Sequence, residues 1–150
     1  MSVIKKITNG ILLMVIGLLH TQFAFSTGGF QKQMLHFSKS YFFKVSDGMA
    51  EFPASVGHTN FENFAAFWFF YFGIFLIPLG LLVHSIERKK QVLPHYFTLG
   101  YLVFVLLGCY MVPNSGITIF MLPHALYMLV SNSIKAKKSG TPKPNAVFRV

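Results

Sequence analysis

From Phe61 to His84 the chain reads FENFAAFWFFYFGIFLIPLGLLVH, with Glu62 as its one carboxylate. A helix of ~20 apolar residues crosses a hydrocarbon core of ~30 Å, so this stretch reads as a transmembrane helix. The basic run Arg88-Lys89-Lys90 follows it closely. Working outward, three more apolar stretches have comparable length: Ile7–Phe25, Tyr96–Val112 and Ile117–Ile134. Four spans within 150 residues leave room for one domain, over 1–134, and a basic tail over 135–150.

The charges set the orientation. The net charge of +9 looks at first like a nucleic-acid signal. Placing the charges removes it. Lys5, Lys6, Arg88, Lys89, Lys90, Lys135, Lys137, Lys138, Lys143 and Arg149 all flank the spans on one side. Only Lys32, Lys39 and Lys44 fall in the opposite loop, over 27–58. Lysine and arginine gather in cytoplasmic loops, so the expectation is a multi-pass inner-membrane protein with both termini cytoplasmic and no nucleic-acid partner. Membrane lipids are the expected partners, with a homo-oligomer or a larger membrane complex also open. The tail, with Ser139-Gly140, Pro142 and Pro144, reads as poorly ordered, its lysines facing anionic headgroups. A single Cys109 leaves no internal disulfide. Lys5-Lys6, the apolar run and Ala24-Phe25-Ser26 also fit a cleaved signal peptide; a retained first helix is the preferred reading because the run is long enough to span.

Depth then sorts the polar groups. Rising from Ile7, His20 stands thirteen residues up, or ~20 Å at 1.5 Å per residue. Helix two starts outside, which puts Glu62 and Asn63 near the same boundary. Pro113-Asn114-Ser115-Gly116 has the residues of a tight turn between helices three and four. His124 follows about two turns below it. His20, Glu62, Asn63, Asn114, Ser115 and His124 are therefore expected at one outer level, and the cytoplasmic half holds little that is polar beyond Tyr127 and Ser131. Small residues at helical spacing (Gly10, Gly17, Thr21 and Ala24 on helix one; Ala66, Gly73 and Gly80 on helix two; Gly100 and Gly108 on helix three) mark helix–helix contacts. Phe30, Met34, Phe37 and Tyr41 recur at helical spacing in the outer loop, as in an amphipathic interfacial helix. Pro78 and Pro123 each remove a backbone hydrogen bond and predict kinks. The expected fold is all-α: an antiparallel four-helix membrane bundle with an extra interfacial helix capping its outer end.

Ionisable groups inside a membrane ask for a reason. His20 and His124 are open to proton transfer, ligand binding or simple interhelical hydrogen bonding. Glu62 stands at the fourth position of Thr59-Asn60-Phe61-Glu62, the spacing of a capping box, which favours a structural role. His84 is expected to be solvated at the cytoplasmic interface. The histidines at 20, 36, 58, 84, 95 and 124 lack the close spacing of a local metal site, so no metal is predicted. A b-type haem clamped between His20 and His124 is the one cofactor alternative. There is no nucleophile elbow, phosphate loop or dinucleotide fingerprint.

Gly10 with Gly17-Leu18-Leu19-His20-Thr21, Phe67-Trp68-Phe69 with Gly73, Leu93-Pro94, and Pro113 with Ser115-Gly116 come in an order that resembles an uncharacterised family of small bacterial four-helix membrane proteins. The resemblance runs from Gly10 to Ile134 and implies the same topology but no activity. The aromatic segment Phe30–Phe43 and Pro123-His124 depart from its pattern. The expected function is binding of a small amphipathic or lipid-like ligand in an outward-facing polar pocket formed by His20, Thr21, Asn63, Trp68, Asn114, Ser115, His124 and Tyr127. One alternative is a membrane enzyme acting on a lipid-soluble substrate, with His20 as base and Glu62 or His124 as its partner. A second is an accessory subunit of a larger membrane complex.

Overall fold

The computed structural model describes residues 7–39 and 60–140. Among them every regular element is a helix: α1 (Asn9–Ala24), α2 (Gln31–Ser38), α3 (Phe61–Arg88), α4 (His95–Met111), then a π-helical turn at Ile117–Met121 running into α5 (Leu122–Gly140). Two helical stretches are long and apolar enough to cross a membrane, Phe61–Arg88 and Ile117–Ser139. α1 and α4 are apolar but shorter, at 16 and 17 residues. Lys5, Lys6, Tyr41, His58, Thr59 and the tail beyond residue 140 lie outside the described residues. The chain divides into two compact units, residues 11–81 and residues 7–10 with 82–140 as far as described.

In the first unit α1 and α3 run antiparallel at close range, because glycines let their backbones meet. A Cβ on Gly17 would come within 2.7 Å of the Gly73 carbonyl oxygen and 2.9 Å of Leu76 Cβ, and one on Gly73 would strike Thr21 Oγ1. Packing rather than hydrophobicity draws helices together in lipid, and small residues permit it. α1 stops at Ala24, and Phe30 N–H closes back onto the Ala24 carbonyl. The amphipathic pattern of the outer loop does form a helix. α2 lays Met34 and Phe37 onto Ala24 of α1 and Ala66 of α3, with Phe30, Phe69 and Phe70 packed around them.

The start of α3 corrects the expected capping box. Asn60 is the N-cap, its Oδ1 accepting from Asn63 N–H at 3.1 Å. Asn caps as well as Thr or Ser, and one residue's shift moves Glu62 out of the reciprocal position. Its carboxylate accepts from Gln33 Nε2 of α2 instead, at 3.1 Å. α3 runs on through Pro78 and four residues past His84. Its end is tied off by Lys90 N–H to the Glu87 carbonyl and Gln91 N–H to the Ile86 carbonyl. That is a Schellman turn, with Lys90 in the left-handed region at φ 58° where glycine is usual.

In the second unit α4 and α5 form an antiparallel hairpin. A Cβ on Gly108 would lie 3.1 Å from Ile117 Cγ2, so the helices touch near the turn. The π-turn ends with Leu122 N–H on the Ile117 carbonyl, directly before Pro123. Proline has no N–H to give Ile119 and its ring crowds that carbonyl, and the wider turn relieves both conflicts. At the other end Asn132, 1% exposed, clamps the α3–α4 connection. It accepts from Leu93 N–H and donates to the Leu93 carbonyl, both at 2.8 Å. α5 continues to Gly140, so the first six residues of the expected disordered tail are helical. Lys135 is held there by Glu87 at 2.6 Å.

Candidate functional site

The polar groups gather in two places, one in each unit. In the first unit, α2 and the start of α3 enclose an open cleft of about 290 Å³ lined by Lys32, Gln33, His36, Asn60, Glu62 and Asn63. α2's polar face and the cap of α3 put these side chains together. The apolar cluster of Met34, Phe37 and Ala66 begins within one helical turn of them. Of the residues expected to bind or react, Asn63 and Glu62 line this cleft.

His20 does not. Its ring stacks on Phe69 at 3.8 Å between centroids and meets Phe72 edge-on. Its Nε2 lies 3.0 Å from the Phe69 carbonyl oxygen. A carbonyl only accepts, so Nε2 carries the proton and donates it. Thr21 turns to Gly73, and its Oγ1 is buried without a hydrogen-bond partner. Trp68 is half exposed and packs edge-on against Phe64, Phe67 and Tyr71 on its own helix.

In the second unit a chain of hydrogen bonds ties three helices and the start of α1. Tyr101 OH lies 3.1 Å from His124 Nδ1, and His124 Nε2 lies 3.2 Å from the Asn9 carbonyl. The carbonyl again requires a donor at Nε2, and in the neutral ring Nδ1 accepts from the Tyr101 hydroxyl. His124 is 5% exposed, with both nitrogens engaged. Asn9 donates from Nδ2 to Glu87 Oε1 at 2.7 Å and to Ser131 Oγ at 3.3 Å, while its Oδ1 is buried without a partner. Glu87 Oε2 faces Gly10 N–H at 3.4 Å. His84, expected to be solvated, shares a 2.7 Å hydrogen bond with Thr8 Oγ1.

His124 engages the first turn of α1 within the second unit, and His20 packs against α3 within the first. Of the other expected pocket residues, Asn114 and Tyr127 are exposed and Ser115 Oγ is buried without a partner. Nothing in the sequence pattern marks Asn9, Glu87, Tyr101 and Asn132 together as members of one site. For Asn9 and Glu87 a signal existed: α1 opens without an acidic residue of its own, and a carboxylate stands at the end of α3. Among the described residues no three histidine, cysteine or carboxylate side chains gather to hold a metal.

A helical chain with two apolar helices of spanning length and polar groups gathered at helix ends defines the class. By its sequence the chain belongs to a family of unknown function (DUF6463), matched over residues 5–135. No curated protein and no solved structure matches it.

Proposed function

We propose that this is a multi-pass protein of a bacterial inner membrane that holds an amphipathic, lipid-like molecule by its polar head. In this reading α1, α3, α4 and the π-turn with α5 are four antiparallel spans of one bundle. Both ends are cytoplasmic, and α2 lies in the outer interface.

The observation that carries the proposal is the cleft between α2 and the cap of α3. Pockets for drug-sized ligands run from ~300 to ~1,000 Å³. At about 290 Å³ the cleft suits a head group alone, with the tail left along the apolar faces of α2 and α3. Lys32 and Glu62 supply opposite charges, and Gln33, Asn60 and Asn63 supply amide donors and acceptors. That set suits a neutral or zwitterionic head better than a multiply charged one. Both candidate histidines donate Nε2–H to backbone carbonyls, which favours binding over proton-transfer catalysis.

Native mass spectrometry of protein extracted in mild detergent tests the proposal. The expected result is a retained amphiphile that is lost from Lys32→Ala/Gln33→Ala while the variant still extracts and unfolds like the parent. Equal retention by the variant, or no retained molecule in the parent, contradicts it.

A further inference from the structure

The second unit brings two basic segments together around a single carboxylate among its described residues. Arg88, Lys89 and Lys90 close α3, and Lys135, Lys137 and Lys138 lie on the last turns of α5. Two tethers bracket the first group against the second. On one side Glu87 grips Lys135 at 2.6 Å. On the other Asn132 takes both backbone groups of Leu93. The three cations at 88–90 lie between these tethers, within a turn fixed by the Schellman hydrogen bonds.

Glu87 is the sole carboxylate among the described residues of this unit. It is turned away from its basic neighbours. One oxygen serves Asn9 Nδ2 and Lys135, the other faces Gly10 N–H, and its side chain is only 2% exposed. Arg88, Lys89, Lys90 and Lys138 are exposed and make no ion pair among the described residues. Consecutive like charges on a fixed turn repel one another, and an anion that joins them relieves the repulsion. The left-handed backbone at Lys90 adds to the cost of holding the turn.

From this we infer that the 88–90 turn and the end of α5 form a binding site for the phosphate of an anionic phospholipid. The site lies at the end of two spans, where a cytoplasmic-leaflet headgroup arrives already concentrated. Arginine offers a planar fork of donors to phosphate, and the lysines supply point charge. The inference rests on the membrane reading but not on the outer cleft, which belongs to the other unit.

The test uses the full chain in phosphatidylcholine bilayer discs with and without phosphatidylglycerol, followed by native mass spectrometry of retained lipid. The parent should keep phosphatidylglycerol in preference to phosphatidylcholine. Each surface cation contributes on the order of fivefold, so Arg88→Gln/Lys89→Gln/Lys90→Gln should lower that preference roughly a hundredfold. Lys89→Arg/Lys90→Arg should keep it, as should Lys39→Gln at the end of α2. A neutralised turn that retains phosphatidylglycerol like the parent, or a parent with no preference, overturns the inference. Loss of preference in Lys39→Gln as well would also overturn it, since bulk charge rather than this turn would then be responsible. Loss of the outer amphiphile with phosphatidylglycerol retention intact would count against the cleft alone.

Discussion

Glu87 reaches from the last turn of α3 to the head of α1 and accepts a 2.7 Å hydrogen bond from Asn9 Nδ2. α1 carries no acidic residue in its own first turn. Glu87 therefore supplies in trans the negative charge that the exposed amides of a helix N-terminus favour, with Oε2 toward Gly10 N–H. The same carboxylate holds Lys135 of α5. One side chain fastens three helix ends.

Replacing it should be costly and graded. Glu87→Gln keeps one acceptor and should lower stability by about 1 kcal/mol, while Glu87→Ala leaves the buried Asn9 amide only its longer contact with Ser131 and should cost about 2–3 kcal/mol. Lys135→Met should cost less than ~1 kcal/mol, because that side chain is half exposed. Unfolding in mixed micelles measures all three. An alanine variant no worse than Lys135→Met would mean that the Asn9 bond contributes little.

Asn132 predicts a chemical asymmetry. Its amide satisfies both the N–H and the C=O of Leu93. Asn132→Asp can still accept but no longer donates, and Asn132→Leu does neither. The leucine variant should lose about 2–4 kcal/mol, two buried backbone groups at 1–3 each less its gain in apolar burial, and the aspartate variant should also lose stability. Indifference to both changes would show that water reaches Leu93.

The glycines divide by what surrounds them. Gly17→Ala drives a methyl into the Gly73 carbonyl and Leu76, so α1 and α3 must separate, at a cost of about 1–3 kcal/mol. Gly100 on α4 has nothing within 4 Å of the equivalent position. Gly100→Ala should be neutral or stabilising by up to ~1 kcal/mol. The two variants, unfolded side by side, should move in opposite directions or differ by at least the cost of the clash.

Lys90 is the one described non-glycine residue with positive φ. Lys90→Gly should raise stability by up to about 1 kcal/mol, because glycine takes the left-handed conformation without steric cost. A loss of stability would show that the lysine side chain contributes more to the turn than its backbone costs.

The helices were legible because apolar length and small-residue spacing are local. Phe61–His84 needed only counting, and Gly17 and Gly73 do face each other. α2 was readable from the spacing of Phe30, Met34 and Phe37. The Asn60 cap was missed by one residue because Thr59 and Asn60 are equally able caps and only the backbone chooses between them. The pairing of Asn9 with Glu87 is separated by 78 positions, and no periodicity announces it. The π-turn at Ile117–Met121 was not foreseen, since Pro123 announces a disturbed helix but not the form it takes. The second polar centre was not foreseen, since single Asn and Glu residues at helix ends look solvated until tertiary contacts claim them.

Both the outer cleft and the basic turn depend on opposite ends of α3 facing opposite sides of a membrane. Single cysteines placed at Ser38 and Lys89 in a Cys109→Ser background, treated in intact cells with a membrane-impermeant thiol reagent, test this most directly. The account predicts that Ser38→Cys is labelled at once and that Lys89→Cys is labelled only after the membrane is opened. Labelling of Lys89→Cys in intact cells, or of both positions together, would contradict it.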